Sequence, residues 1–201
     1  WDSLFNYGEG NRINFERLNG TVGVFGKNYS GKSSIIDSLL YVLYNTTSKN
    51  ERKNVNIINQ NKDEGSGEVV ITVGDKQYYI RRSSTKYTKR LKGVETLEAK
   101  TDLDFFKIDR NGEKVSLNGL TRNDTDKNIR KVFGTIDDFL LTSLSSQLDS
   151  LSFIREGSTK RKEILAKFLD LEIFEKKFRL ANDDASDMKG ALKRIEDREY
   201  E

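Results

Sequence analysis

The stretch that most constrains this chain is Gly26-Lys-Asn-Tyr-Ser-Gly31-Lys32-Ser33-Ser34. It follows an apolar pentad, Thr21-Val-Gly-Val-Phe25, and runs into a segment with apolar residues at Ile35, Ile36, Leu39, Leu40, Val42 and Leu43. That spacing predicts a mostly buried helix. Residues 26–33 satisfy G-x-x-x-x-G-K-[ST], in the strand-before, helix-after context that the pattern requires. The chemistry accounts for each residue type. A polyphosphate needs several backbone N–H groups converging on its oxygens, and a glycine-rich loop can curl that way. A helix starting near Gly31 adds its positive end. Lys32 supplies a point charge for the β- and γ-phosphates, and Ser33 offers a hydroxyl to Mg²⁺. Against a plain turn with an exposed lysine, this context favours a nucleoside triphosphate site.

Composition narrows the rest. The chain has 201 residues, 35% hydrophobic and 33% charged, with a net charge of +3. The charged share exceeds the usual quarter and suggests a solvated helix added to a globular body. A near-neutral total leaves nucleic-acid contact to local patches. Without cysteine or histidine, there is no disulfide, no thiolate zinc site and no imidazole base. No apolar run approaches the roughly 20 residues of a membrane helix, and the first residues lack the pattern of a signal peptide.

Residues 12–25 read as two short strands about a turn at Asn19-Gly20. Residues 45–67 are polar and Asn-rich and read as a loop. EVVITV, QYYIRR, LDFFKID and EKVSL then read as strands, with hairpin turns at Gly74-Asp75 and Asn111-Gly112. Helical signals return at Asp124. Thr135 with Asp138 forms a capping box, and Ser158 or Thr159 can cap KRKEILAKFLDL. Beyond it, Phe174, Phe178, Ala181, Ala185, Met188, Leu192 and Ile195 are spaced as a heptad seam, the pattern of a coiled coil or of an amphipathic helix lying on its own domain.

Metal-assisted hydrolysis needs a carboxylate at the metal and the water, usually at the end of an apolar strand. The sole lookalike, Phe105-Phe-Lys-Ile-Asp109, runs into Arg-Asn-Gly-Glu and reads as a hairpin strand. Half of a catalytic apparatus is missing. A self-contained P-loop kinase or GTPase would need that carboxylate here. Separately, residues 81–92 hold six basic residues around Tyr87 and no acidic one. They are either a solvated loop between strands or a site for nucleic-acid phosphates.

The loop Gly-Lys-Asn-Tyr-Ser-Gly-Lys-Ser-Ser resembles the G-x-N-G-x-G-K-S-S loop of SMC-like repair ATPases of the SbcC branch, the nuclease-associated ATPases that include phage recombination subunits. Asn28, Gly31, Lys32, Ser33 and Ser34 match, and Tyr29 stands where that family usually has glycine. DDFLLTSLSSQLDSLSFIREGSTKRKEILAKFLDLEIFE is similar to the family's glutamine-loop segment and the helix leading into its coil. The resemblance implies an α/β fold, the N-terminal lobe of an ABC-type P-loop ATPase head. A mixed sheet plus helices would span residues 1–171, and residues 172–201 would start an antiparallel coiled coil. It implies ATP and Mg²⁺ as cofactors, with Gly26, Asn28, Tyr29, Ser30, Gly31, Lys32, Ser33 and Ser34 around the nucleotide. Gln147 becomes the glutamine that reaches the metal and the γ-phosphate beside Lys32. More than half the chain separates Lys32 from Gln147, whereas transporter-type ATPases place the two much closer. The partners implied are a C-terminal lobe of the same protein, a second head, an SbcD-like nuclease and double-stranded DNA contacted by Lys86, Lys89, Arg90 and Lys92. No membrane is involved, and the setting is the cytoplasm of a prokaryotic or phage-infected cell, or a nucleus if eukaryotic. An SMC-type chromosome ATPase without a nuclease has the same features.

Overall fold

Turn chemistry lays out the sheet. In a computed structural model that describes residues 1–49, 51, 53–91, 93–144, 157–169 and 171–196, strands β1 (Glu64–Val73), β2 (Lys76–Leu91), β3 (Val94–Ile108) and β4 (Lys114–Ser116) form an antiparallel meander in that order. Gly74, at φ 62°, reverses the chain so that Val73 faces Lys76. At the other expected turn Asp109 Oδ1 accepts the N–H groups of Asn111 and Glu113, both at 2.9 Å. The carboxylate of Asp109 therefore closes a hairpin.

Three expectations are corrected. β1 starts at Glu64, inside the stretch read as loop, and β2 runs on through the basic stretch to Leu91. The basic residues remain in strand because β3 pairs with them along the whole length, from Gln77 opposite Ile108 to Leu91 opposite Val94. Conversely, no ladder forms over 12–25, which holds only a 3-10 turn at Phe15–Arg17. A strand needs a neighbour to receive its N–H and C=O groups, and no described strand lies beside this segment.

One face of the sheet is buried. Ile80, Arg82 and Ser84 of β2 and Thr101 and Phe105 of β3 point into it. It is covered by helix α1 (Lys32–Tyr44) and helix α2 (Arg122–Phe133). Leu40, Tyr41 and Val42 of α1 and Ile129 of α2 are buried against the sheet with Leu4, Ile57 and Ile58. Each such side chain stabilises the fold by about 1.5–3 kcal/mol. Gly67 lets α1 approach, since a Cβ there would collide with Val42. α2 is capped by Thr121, whose hydroxyl accepts the Asp124 N–H at 3.2 Å. Its Phe133 meets Tyr78 edge-on at 5.5 Å. The Thr135–Asp138 capping box forms as read and opens helix α3 (Ile136–Thr142).

Polar groups bind α1 to the sheet. Arg82 is fully buried; its Nε donates to the Val42 carbonyl at 3.1 Å and its Nη2 to Asp126 of α2 at 2.6 Å. Val42 sits in the last turn of α1, where carbonyls have no partner within the helix. Beside it Tyr41 Oη, Ser84 Oγ and Thr101 Oγ1 form a chain of hydroxyls at 2.7 and 2.6 Å. Asn54 Nδ2 donates to Thr101 at 2.5 Å and to Asn45, the C-cap of α1, at 3.0 Å. Burial pushes the Tyr41 phenol up.

Residues Trp1–Phe139 and Leu140–Glu201 are separate compact units. The second contains helices α4 (Ser158–Phe168) and α5 (Glu172–Glu196). Ser158 is already helical, so the capping position falls on Gly157, whose carbonyl accepts the Arg161 N–H at 3.0 Å. Phe174, Phe178, Met188 and Leu192 are 58–69% exposed along one side of α5.

Candidate functional site: the phosphate loop

α1 begins at Lys32 because Gly31, its N-cap, turns the chain at φ 89°, and the Ser34 N–H then bonds to the Gly31 carbonyl at 3.0 Å. Tyr29 also lies in the left-handed region, at φ 64°. Left-handed residues at alternate positions make the concave nest of N–H groups that binds anions. Tyr29 thus adopts the conformation for which glycine is the usual residue. The side chain of Lys32 folds back over the loop and donates to the carbonyls of Gly26 at 2.8 Å and Lys27 at 2.7 Å. The ammonium is held at the mouth of the nest and remains half-buried. Ser33 is exposed in the first turn of α1.

The loop is supported from the N-terminal segment, a role that no motif in the sequence announces. Tyr7 Oη donates to the Gly31 carbonyl at 2.9 Å, and Asn6 Nδ2 to the Tyr29 carbonyl at 3.3 Å. A Cβ on Gly31 would lie 2.6 Å from Asn6 Oδ1. Trp1 packs edge-on against Tyr7 at 5.2 Å, and Asn59 Nδ2 donates to the Tyr7 carbonyl at 3.0 Å. Asn6 and Tyr7 are recognisable only once the fold brings them within reach of the loop.

These residues fit a polyphosphate: a loop so tight that a Cβ at Gly31 or Gly26 would collide with the Asn6 or Ser30 side chain, a helix N-terminus and one lysine folded over the loop. Among the described residues no group of three or more carboxylates could hold a metal ion. Gln147 lies outside the described residues, as does Lys92.

The other cations expected to touch nucleic acid do not share one surface. Lys86 and Arg90 lie on the face of β2 that carries Arg82, and Lys89 on the opposite face, by strand alternation. Lys86 Nζ donates to the carbonyls of Asn59 at 2.8 Å and Lys62 at 2.6 Å, tying down the loop before β1. Lys89 pairs with Glu98 at 3.2 Å, and Tyr87 donates to the same carboxylate at 2.7 Å. Hydrogen bonds from Tyr87 and Lys89 hold the Glu98 carboxyl below its usual range. Arg90 is exposed opposite Glu95.

With this geometry in place, residues 3–201 match the family model described as an AAA domain. The chain belongs to that family. Within it the chain is an SMC-like head fragment of the SbcC/Rad50 type. It is 31% identical over 202 aligned positions to an uncharacterised protein of Acanthamoeba polyphaga mimivirus, covering 98% of this chain and 14% of that protein. The SbcC component of the SbcCD nuclease of Bacillus subtilis is 27% identical over 84% of this chain and 15% of its own length. The DNA double-strand break repair Rad50 ATPase of Methanocaldococcus jannaschii is 25% identical over 92% of this chain and 16% of its own. The chain thus spans about a seventh of the length of these relatives. Among the described residues no helix is long and apolar enough to cross a membrane.

Proposed function

We propose that this chain is the nucleotide-binding lobe of an ATPase that works with a nuclease on DNA double-strand breaks. The observation that carries the reading is the phosphate loop itself, with Tyr29 and Gly31 both left-handed and Lys32 folded over the nest. ATP would sit with its β- and γ-phosphates on the amides of residues 28–33 and on Lys32, with Gly26, Asn28, Ser30 and Ser34 around it. Ser33 and Gln147 would hold the Mg²⁺, which when bound neutralises phosphate charge and orients the water.

Hydrolysis needs more than this chain contains in its described part. Asp109 serves its own hairpin turn, where its carboxylate accepts two backbone N–H groups, and this speaks against a self-contained P-loop enzyme. The extended run before the loop leaves Val22, Val24 and Phe25 exposed, by 92% at Phe25. It would receive a neighbouring strand from a C-terminal lobe of the same protein. That lobe would bring the carboxylate, and two loaded heads would then close on each other. Residues 172–201 would form the base of a coiled coil, its exposed seam covered by a returning helix. Engagement of the heads would gate the access of double-stranded DNA to an SbcD-like nuclease, in whichever compartment holds that DNA. Of the described cations proposed for DNA, Lys89 and Arg90 are better placed than Lys86, which is committed to loop carbonyls.

The test is Lys32→Ala. Titration with a fluorescent ATP analogue should show affinity reduced roughly 100-fold, the scale of a lost charge-assisted contact. Ser33→Ala should weaken binding only when magnesium is present. Unchanged affinity in Lys32→Ala would remove the nucleotide site. Turnover should be negligible for the 201 residues alone and appear when the C-terminal lobe is supplied.

A further inference from the structure

Lys86 differs from the other described cations of residues 86–92. Lys89 and Arg90 are exposed, whereas Lys86 is half-buried. Its ammonium donates to three carbonyls, those of Asn59 at 2.8 Å, Gln60 at 3.4 Å and Lys62 at 2.6 Å. An ammonium has three donors, so these bonds use them all and fix the segment that carries Asn59. Asn59 in turn donates from Nδ2 to the Tyr7 carbonyl at 3.0 Å, and its N–H donates to the Ser3 carbonyl at 2.9 Å. Tyr7, its ring edge-on to Trp1, donates from Oη to the Gly31 carbonyl at 2.9 Å. A continuous run of contacts thus leads from β2 to the phosphate loop.

The last bond of that run has a chemical consequence. In a trans peptide the N–H points opposite to the C=O. With the Gly31 carbonyl turned toward Tyr7, the Lys32 N–H is turned away from Tyr7, among the amides of the nest. It belongs to the first-turn donors that no helical carbonyl can satisfy, and such amides hold an anion only while they converge on it. Gly31 has no Cβ to restrict rotation of this peptide, so the restraint comes from the Tyr7 hydroxyl. We propose that Tyr7 is a positioning residue for the nucleotide and that Lys86 acts on it through Asn59. A lysine of the basic stretch thereby tunes nucleotide affinity without touching the nucleotide. This rests on the reading of the loop as a nucleoside triphosphate site and names the residues that hold its geometry.

The experiment titrates the full-length protein with Mg²⁺ and a fluorescent, non-hydrolysable ATP analogue. Tyr7→Phe, which removes one hydroxyl and keeps the ring, should weaken binding by about fivefold to tenfold, the scale of one hydrogen bond. Lys86→Met should weaken it by about threefold, and Lys86→Arg, which keeps donors at that place, should stay within about twofold of the wild type. Members of one network do not act independently, so Tyr7→Phe combined with Lys86→Met should lie within about twofold of Tyr7→Phe alone. Lys62→Met removes a positive charge from the same segment, where Lys62 pairs with Glu9 at 2.7 Å, and should leave affinity unchanged. Asn59→Ala keeps the carbonyls that Lys86 holds, cuts the bond to Tyr7, and should repeat the Lys86→Met loss. Wild-type affinity in Tyr7→Phe overturns the positioning role. Wild-type affinity in Asn59→Ala, or multiplying losses in the double variant, overturns the relay. So does a Lys62→Met loss equal to that of Lys86→Met, because bulk charge is then the cause. A wild-type protein that binds no nucleotide defeats the phosphate-loop reading instead.

Discussion

The two ends of helix α1 are built on opposite terms. At its C-terminal end Leu40, Tyr41 and Val42 are buried, the Val42 carbonyl is capped by Arg82, and Asn45 terminates the helix in the left-handed region. At its N-terminal end the loop keeps its shape through four hydrogen bonds from Lys32, Asn6 and Tyr7, while the residues leading into it lie open. Beside them a cleft of about 700 Å³ separates Arg12 and Phe15 from Val70 and Tyr79 on the sheet. One end is completed by the chain itself. The other carries the phosphate loop and leaves Val22, Val24 and Phe25 exposed. The buried end of α1 and the proposed nucleotide site thus lie at opposite ends of one helix.

Substitutions can break that contrast. The largest loss is expected from Asp126→Ala, which leaves the Arg82 guanidinium buried without its counter-charge and should cost about 3–5 kcal/mol in urea unfolding. Ile80→Ala, at a fully buried position, should cost about 2–5 kcal/mol. A cost below about 1 kcal/mol for either would mean that this end of α1 is not the rigid one.

Tyr44→Phe has the opposite sign. The Tyr44 hydroxyl is buried without a hydrogen-bond partner, so its removal should be neutral or stabilising by about 1 kcal/mol. Burial, helped by the nearby Asp138 carboxylate, pushes the Tyr44 phenol up from 10.0 to about 12. The unfolded chain releases this proton near 10 and the folded chain near 12. The contribution is whole below pH 10 and is lost as pH rises through that window. Wild-type urea midpoints should therefore fall more steeply between pH 10 and 12 than those of Tyr44→Phe. The smallest effect belongs to the open end: Phe25→Ser should change the stability of these residues by less than about 0.5 kcal/mol. A large destabilisation there would show that the flank of the loop is already packed.

The sequence was readable where a residue's role is local. The Gly74 and Asn111-Gly112 turns and the Thr135 cap each depend on residues within a few positions, and the loop from Gly26 to Ser34 is legible as a motif even though Asn6 and Tyr7 hold it. It was unreadable where the role depends on distant partners. Val22 and Val24 have the alternation of a strand, yet pairing requires a neighbour that composition cannot reveal. Lys86 and Arg82 look alike in a basic run, but one ties down a loop and the other holds two helices, a distinction set by Asn59 and Asp126 far along the chain. Tyr29 reads as a departure from a pattern, and only the backbone angle shows that it still obeys the conformation the pattern encodes.

The meander has a consequence for the order of events during synthesis. Strands β1 to β4 pair with sequence neighbours and need no crossover, so their hairpins can close within about 1–10 μs once exposed. The phosphate loop has no such independence. Asn6 and Tyr7 are positioned by the Asn59 N–H donating to the Ser3 carbonyl, by the Phe5 N–H donating to the Ile57 carbonyl and by the bridge between Asp2 and Ser66. At about 5–20 residues per second, those partners leave the ribosome some seconds after Gly31 does. A nascent chain therefore carries its complete phosphate-loop motif before it has the means to hold that motif in shape.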